Sequence, residues 1–282
     1  MSCRGRSCTL RFCISAAALV LSVPVQAAQG YSVFPRPYEL FSRLLADPRQ
    51  IQIAAYYYRQ DGDDTADVAL GHSWGLTRWQ TGDQSPWNWQ WSVEGMAYSR
   101  FRLNGGVNEF QTIDFFANLP LELRREKVSG KFMLFHESSH LGDDYIRHTG
   151  DQGFRYSLDG LKALASYEPA AALRIYAGGF YLLHTVPSPH RPGLQAGLEL
   201  KSPDRKLFSK APYCLYLGQD IQSRASVSWN TSYRTVFGVR LGLQEQRRFM
   251  RVHLGHYAGR SPFGQFFRRQ ENHWDLGVSF DL

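Results

Sequence analysis

Disulfide chemistry is almost excluded by this sequence. Its 282 residues include only four cysteines, and three of them lie within the first 13 positions. That N-terminal stretch has three arginines, an apolar run from Ile14 to Val25 and a small-residue cleavage site at Ala27, which is the pattern of a secretory signal peptide. We therefore predict that residues 1–27 are removed. Cys214 is then the only thiol, and an intramolecular disulfide cannot form.

Long apolar runs and a concentration of one charge are also missing after the signal. No uninterrupted apolar segment reaches the roughly 20 residues of a transmembrane helix. The formal net charge of +7 falls to +4 without the three signal arginines, and no basic cluster interleaved with aromatics points to nucleic acid. The chain is instead rich in aromatics, at 14%, and in glycine, with 25 residues. A transmembrane β-barrel accommodates both, because its strands need apolar side chains only at every second position.

Polar and apolar residues alternate along most of the chain after about residue 49. Alternation with a period of two is typical of strands that have one apolar face. In Leu194–Lys201, leucines and an alanine alternate with glycine and polar residues. An even number of strands places both chain ends in the periplasm, as in bacterial barrels. We predict about twelve antiparallel strands, at 50–59, 67–79, 88–101, 108–125, 128–140, 153–168, 172–185, 191–202, 212–223, 227–244, 247–258 and 272–282.

The segment before the first predicted strand has a different pattern. Tyr38–Leu45 is amphipathic and is followed by a proline at position 48, which predicts one or two helical turns. We therefore expect a signal peptide at 1–27, a periplasmic N-terminal segment at 28–48 and an all-β transmembrane barrel at 49–282. A soluble β-sandwich shows the same alternation and is the alternative fold.

The connections between the predicted strands differ in length on the two sides of the barrel. Turns near 126–127, 169–171 and 245–246 are short, whereas 141–152 and 259–271 are long and polar. Counted from a periplasmic N-terminus, the short turns face the periplasm and the long connections face the exterior, as expected for this class. The exception is 203–211, which is long on the predicted periplasmic side.

Three stretches of the sequence resemble a bacterial family known only as a domain of unknown function. They are Leu44–Arg49, His136–Asp144 and His256–Phe267. The members of that family are envelope β-barrels, so the resemblance implies such a barrel over nearly the whole mature chain and implies no activity. We expect the protein in the bacterial outer membrane, with the lipids of that membrane and its assembly machinery as partners.

The stretch His136–His140 can be interpreted as two different active sites. On a helix, its His-Glu-Ser-Ser-His sequence is the HExxH zinc pattern, with Glu137 as general base. On a strand, the two histidines lie roughly 13 Å apart at ~3.3 Å per residue, and Ser138 shares their face. A turn at 128–130 and an aromatic run before the stretch favour the strand. A zinc metalloprotease remains the alternative enzyme and requires a helix here.

The strand interpretation predicts a serine hydrolase that acts on membrane-lipid acyl esters. His136 would take the proton of Ser138, and Asp151 is the nearest acidic candidate to orient the imidazole. The alternatives for that role are Asn108, Glu109 and Ser157. The sequence has a weaker similarity to outer-membrane phospholipase A and lipid A deacylase, which carry His-x-Ser on a strand that faces the outer leaflet. Ser139 and His140, where that phospholipase has Asn-Gly, are assigned supporting roles.

The sequence also offers a candidate cation site and allows a role without catalysis. Asp143 and Asp144 follow the His-Glu-Ser-Ser-His stretch, and their carboxylates could help to hold Ca²⁺ near Ser138. No other cofactor is predicted. A barrel of about twelve strands has a narrow lumen that side chains can fill, so a purely structural barrel and a small pore are the alternatives to an enzyme.

Overall fold

The computed structural model describes residues 29–35, 39–82, 84–103, 108–187, 191–207, 211–243 and 248–281. The predicted signal peptide and Leu282 lie outside these ranges. One α-helix, α1, spans Asp143–Thr149, and Ala225–Val227 form a 3₁₀ turn. The strands are β1 (Gln29–Val33), β2 (Ile53–Gln60), β3 (Asp63–Thr81), β4 (Trp87–Arg102), β5 (Glu109–Arg125), β6 (Val128–Leu141), β7 (Tyr156–Ala170), β8 (Leu173–Val186), β9 (Pro192–Lys201), β10 (Arg205–Leu207), β11 (Ala211–Arg224), β12 (Thr231–Leu243), β13 (Arg248–Arg260) and β14 (Gln270–Asp281).

Twelve of these strands close into an antiparallel barrel. Successive strands pair with one another, and the last strand, β14, pairs back to β2 with Leu276 opposite Tyr57. The short β1 and β10 are additions to this wall, because β1 pairs with β3 and β10 pairs with β11. Each of the twelve predicted runs overlaps one strand of the barrel, so the predicted fold is confirmed.

The outer surface of the barrel is apolar. Along the strands, every second side chain points outward, and many of these are large and between about two-fifths and three-fifths exposed. A soluble protein rarely exposes a contiguous apolar patch of more than a few hundred Å², so this surface is suited to lipid. Among the described residues, no helix is long and apolar enough to span a membrane. The outward set includes Tyr57, Leu70, Trp74, Phe115, Leu119, Phe132, Leu134, Ile175, Leu194, Leu198, Leu215, Phe237, Leu254, Trp274 and Leu276.

The inner surface of the barrel is lined by buried charged side chains that form ion pairs. Arg100 contacts Asp67 at 2.8 Å and Glu271 at 2.6 Å, and Arg234 contacts Asp275 at 2.9 Å. Buried charges persist only where they are paired, because an isolated ion in a low-dielectric interior is costly. Polar residues on alternate strand positions therefore hold the wall together from inside.

The N-terminal segment lies within the barrel. Phe41 and Leu44 are 3% and 2% exposed, and the segment's backbone amides bind carboxylates that project from the wall. The Leu40 N–H donates to Glu122 at 2.7 Å, and the Leu45 N–H donates to Glu199 at 2.7 Å. The helical turns predicted at Tyr38–Leu45 are not found in its described part, because wall carboxylates replace the helical carbonyl partners. Within this segment, Phe41 and Leu44 pack against Leu164 and Tyr176 of the wall.

The long connection between β13 and β14 closes the lumen from the outer side. The sequence predicted a polar external loop, but Phe263, Phe266 and Phe267 are at most 5% exposed. Phe263 stacks on Tyr98 with the ring centroids 4.4 Å apart. The Gly264 N–H donates to Asp114 at 2.9 Å. Residues 261–269 therefore fold back into the barrel mouth as a cap.

Candidate functional site

Strand β6 carries one set of predicted site residues on each of its two faces. Successive side chains on a strand point to opposite sides. Glu137 and Ser139 point into the lumen and are each 1% exposed, whereas His136, Ser138 and His140 lie on the outer face above the exposed Phe132 and Leu134.

The zinc interpretation of this stretch is overturned by its backbone. His136–His140 is part of the strand Val128–Leu141, so the two imidazoles are about 13 Å apart along the chain at ~3.3 Å per residue. Glu137 points to the opposite side of the wall and is bound there by Arg49 at 2.5 Å. The HExxH arrangement needs both histidines and the glutamate around one ion, and a strand separates them.

His136 forms a hydrogen bond with a carboxylate of the next strand. Its Nδ1 lies 2.7 Å from Asp159 Oδ1, because the register of β6 and β7 places these residues directly opposite each other. The two side chains are 44% and 43% exposed. An Nδ1–H that donates to the carboxylate leaves Nε2 with a free lone pair, which is the tautomer that a general base requires.

Ser138 is the next outward residue on the same strand. It lies opposite Ser157 on β7 and Phe115 on β5 and is half-buried. Residues two apart on a strand are separated by about 6.6 Å, so a rotamer change of the Ser138 side chain is needed to bring its Oγ toward Nε2 while His136 keeps its bond to Asp159. Among the described residues, the Ser138 hydroxyl has no hydrogen-bond partner and is free to make that contact. Catalytic hydrogen bonds are often long in unliganded structures.

The orienting carboxylate differs from the one that the sequence suggested. Asp151 lies in the loop after α1, where it accepts a hydrogen bond from the Gly153 N–H at 2.9 Å. The carboxylate that contacts His136 is instead that of Asp159. Alternation along β7 indicates from the sequence that Asp159 points outward. It does not show which residue of β6 lies opposite, because a fourteen-residue connection separates the two strands and leaves their register open.

The remaining predicted site residues have separate positions. Ser139 faces the lumen, where its Oγ accepts a hydrogen bond from the Gln265 N–H at 3.0 Å, so it fastens the cap. His140 is exposed on the outer face, and its ring and that of Phe115 meet edge to face with centroids 6.3 Å apart. On the other side of Asp159, the exposed His184 of β8 is the cross-strand neighbour, a residue that the sequence did not single out.

Asp143 and Asp144 form the first turn of α1. Asp144 accepts a hydrogen bond from the Phe110 N–H at 3.2 Å and lies 3.4 Å from Arg147. Within the described ranges, no group of three or more His, Cys, Asp or Glu side chains could hold a metal ion. The Ca²⁺ assignment therefore stays a prediction from the sequence.

Comparisons with known proteins agree with the barrel. A family model described as protein of unknown function (DUF1207) matches residues 22–282. No curated protein matches the chain by sequence. Outer membrane phospholipase A has a similar fold in Salmonella typhi, as a dimer with bound calcium (TM-score 0.54, 12% identity, 87% of this chain and 94% of that chain), and in Escherichia coli (TM-score 0.53, 11% identity, 83% and 93%). LpxR from Salmonella typhimurium aligns at a TM-score of 0.39, with 12% identity over 82% of this chain and all of that one.

The likeness to the two phospholipase A structures concerns the fold alone. A closed barrel of twelve strands with an apolar outer surface and a filled polar interior requires a lipid environment around it. The protein is therefore a bacterial outer-membrane β-barrel, and the location predicted from the sequence is confirmed.

Proposed function

This chain belongs to the DUF1207 family of proteins of unknown function, and we propose that it is a lipid acyl hydrolase of the outer membrane. The observation that carries the proposal is the 2.7 Å hydrogen bond between His136 and Asp159 on the outer face, one outward position from Ser138. A nucleophile, a base and a group that orients the base are the three parts of a serine hydrolase. The fold shared with outer membrane phospholipase A supports the same class of substrate.

The chemistry follows from the three side chains. His136 Nε2 removes the proton from Ser138 Oγ, which attacks the ester carbonyl carbon and forms a tetrahedral intermediate. The imidazolium then returns the proton to the departing lysolipid oxygen, and the acyl group stays on Ser138. A water molecule, deprotonated by the same imidazole, hydrolyses this acyl-enzyme and releases the fatty acid. Asp159 holds the tautomer and stabilises the imidazolium in both halves of the reaction.

The position of the site suits a substrate within the membrane. Phe132 and Leu134 lie directly below His136 on the same face and are 47% and 45% exposed. Acyl chains of the outer leaflet can lie against these side chains while the ester reaches Ser138 from the side. We expect phospholipid or lipopolysaccharide as the substrate class, because both carry acyl esters next to acyl chains.

Labelling with a serine-directed fluorophosphonate, together with fatty-acid release from mixed micelles, tests the proposal. Wild-type protein should react with the probe, and Ser138→Ala should lose both labelling and hydrolysis. Ser157→Ala is the matched control, because Ser157 is the outward serine directly opposite on β7 and should leave both readouts unchanged. Absence of labelling and hydrolysis in the wild type would remove the enzymatic function and leave a structural barrel.

A further inference from the structure

Two basic side chains lie next to each other on the outer face of the barrel, one outward position beyond Ser138 toward the exterior. They are His140, the last outward residue of β6, and Arg155, which directly precedes β7. The register of the two strands pairs Ser139 with Tyr156, and continued by one residue it places His140 opposite Arg155. Side chains that face each other across two strands have Cβ atoms about 4.5–5.5 Å apart. One group bound between them can therefore contact both.

The contacts of its two neighbours fix the direction of the Arg155 side chain. Phe154 and Tyr156 both pack on Phe267 of the cap, each with the ring centroids 6.1 Å apart. Because these two side chains lie on the inner side of the chain, the residue between them points to the outer side. Arg155 is exposed there, as is His140.

Neither basic group has an acidic partner among the described residues. The side chains of Arg155 and His140 take part in no hydrogen bond or ion pair there. The nearest carboxylate on the outer face of these two strands is Asp159, roughly 13 Å from Arg155 along β7 at ~3.3 Å per residue, and it is bound by His136. Arg147, at the same end of the barrel, does have a partner, at 3.4 Å. An unpaired guanidinium at the boundary of the membrane attracts anionic groups of lipids.

The order of the side chains along this face matches the order of the groups in a phosphorylated lipid. Phe132 and Leu134 lie lowest, where acyl chains can pack, and Ser138 lies above them. His140 and Arg155 lie about 6.6 Å further toward the exterior, which is two strand positions. In glycerophospholipids and in lipid A, a few carbon atoms of glycerol or sugar separate an acyl ester from a phosphate. A phosphate can therefore reach the two basic groups while the ester lies at Ser138.

We infer that Arg155 and His140 bind the phosphate group of a membrane lipid. A guanidinium presents parallel N–H donors that match two phosphate oxygens, and the imidazole adds one further N–H donor. As a substrate site this assignment rests on the proposed hydrolase, whereas phosphate binding itself does not depend on catalysis. It restricts the substrates to lipids that carry a phosphate close to an acyl ester.

Binding of short-chain lipids to full-length Ser138→Ala protein in detergent micelles tests the phosphate site without catalysis. Isothermal titration calorimetry compares dihexanoylphosphatidic acid and dihexanoylphosphatidylcholine, which carry a phosphate, with dihexanoylglycerol, which lacks it. We expect both phosphorylated lipids to bind at least about tenfold more tightly, the factor that corresponds to one hydrogen bond to a charged group. Equal affinity of the three would mean that Arg155 only extends its charge into water, and the inference would be overturned.

Substitutions locate the binding. In the Ser138→Ala background, Arg155→Gln should remove the preference for phosphate, whereas Arg155→Lys keeps the charge and should retain most of it. Arg59→Gln is the matched control, because Arg59 is an exposed outward arginine at the exterior end of β2, four strands away from β6. Heat-modifiable migration in gels shows that each variant is folded. A preference that survives in folded Arg155→Gln, or that Arg59→Gln removes equally, would refute the assignment.

Hydrolysis in mixed micelles separates the two sources of lipid phosphate and the two proposals. Protein with Ser138 intact receives phosphatidic acid or diacylglycerol in one arm, and lipid A or its dephosphorylated form in the other. The source is the arm in which the phosphate raises kcat/KM and Arg155→Gln lowers it about tenfold. Hydrolysis that responds neither to phosphate nor to Arg155→Gln would overturn the phosphate site and leave the hydrolase. Phosphate-dependent binding without hydrolysis would support the site as a lipid-binding site and remove the hydrolase.

Discussion

Removal of Arg49, which directly follows the N-terminal segment, should destabilise the barrel. Its Nη1 lies 2.5 Å from Glu137 Oε2, and the side chains are 19% and 1% exposed. Loss of one partner from a buried ion pair leaves an unpaired charge, which costs about 3–5 kcal/mol. Because Arg49 is partly exposed and a cavity adjoins the pair, we expect Arg49→Ala to lower the free energy of unfolding by about 3 kcal/mol.

The double variant Arg49→Met, Glu137→Met separates charge burial from packing. Apolar residues of similar volume often replace a buried ion pair without loss, so this variant should unfold within about 1 kcal/mol of the wild type. Urea titration in lipid vesicles, followed by tryptophan fluorescence, measures the free energy of unfolding of both variants. If Arg49→Ala costs less than about 1 kcal/mol, or if the double variant is no more stable than Arg49→Ala, the ion pair is not what fastens the segment to the wall.

Three further predictions test the outer site, the cap and the pH dependence. Asp159→Asn should reduce lipid hydrolysis by about 10²- to 10⁴-fold, because the amide permits the wrong imidazole tautomer, whereas Asp151→Asn should leave the rate unchanged; equal losses would contradict the assignment. Gly264→Ala should loosen the cap, since a Cβ there would lie 2.5 Å from that of Ser139, and limited proteolysis should then cleave 261–269 faster at a cost of about 1–3 kcal/mol in stability. Burial acts to raise the pKa of Asp47, but the nearby lysine and hydrogen bonds outweigh it and lower the pKa below 3.8. Its carboxylate therefore contributes stability above that pH, and this contribution is lost as the pH falls through the lowered pKa. Unfolding measured from pH 7 to pH 2 should show a smaller loss for Asp47→Asn, and identical pH profiles would contradict the argument.

The sequence was sufficient to predict the wall of the barrel. Alternation with a period of two depends only on neighbouring residues, so each strand could be located from its own side chains. The same rule assigned His136 and Ser138 to one face of β6. A strand also excludes the zinc site, because it separates the two histidines and places Glu137 on the opposite face. An aromatic and leucine-rich outer face then indicated the membrane, because such a surface is stable only in lipid.

Only the tertiary structure decided what fills the barrel and which strands face each other. The amphipathic pattern at Tyr38–Leu45 indicated a helix, but backbone amides there bind Glu122 and Glu199, which are distant in the sequence. Local periodicity cannot reveal such partners, nor that 261–269 returns into the mouth. The sequence did not predict the role of Asp159 for the same reason. Its contact with His136 depends on the register of two strands that a long connection joins, and closure of the whole barrel fixes that register.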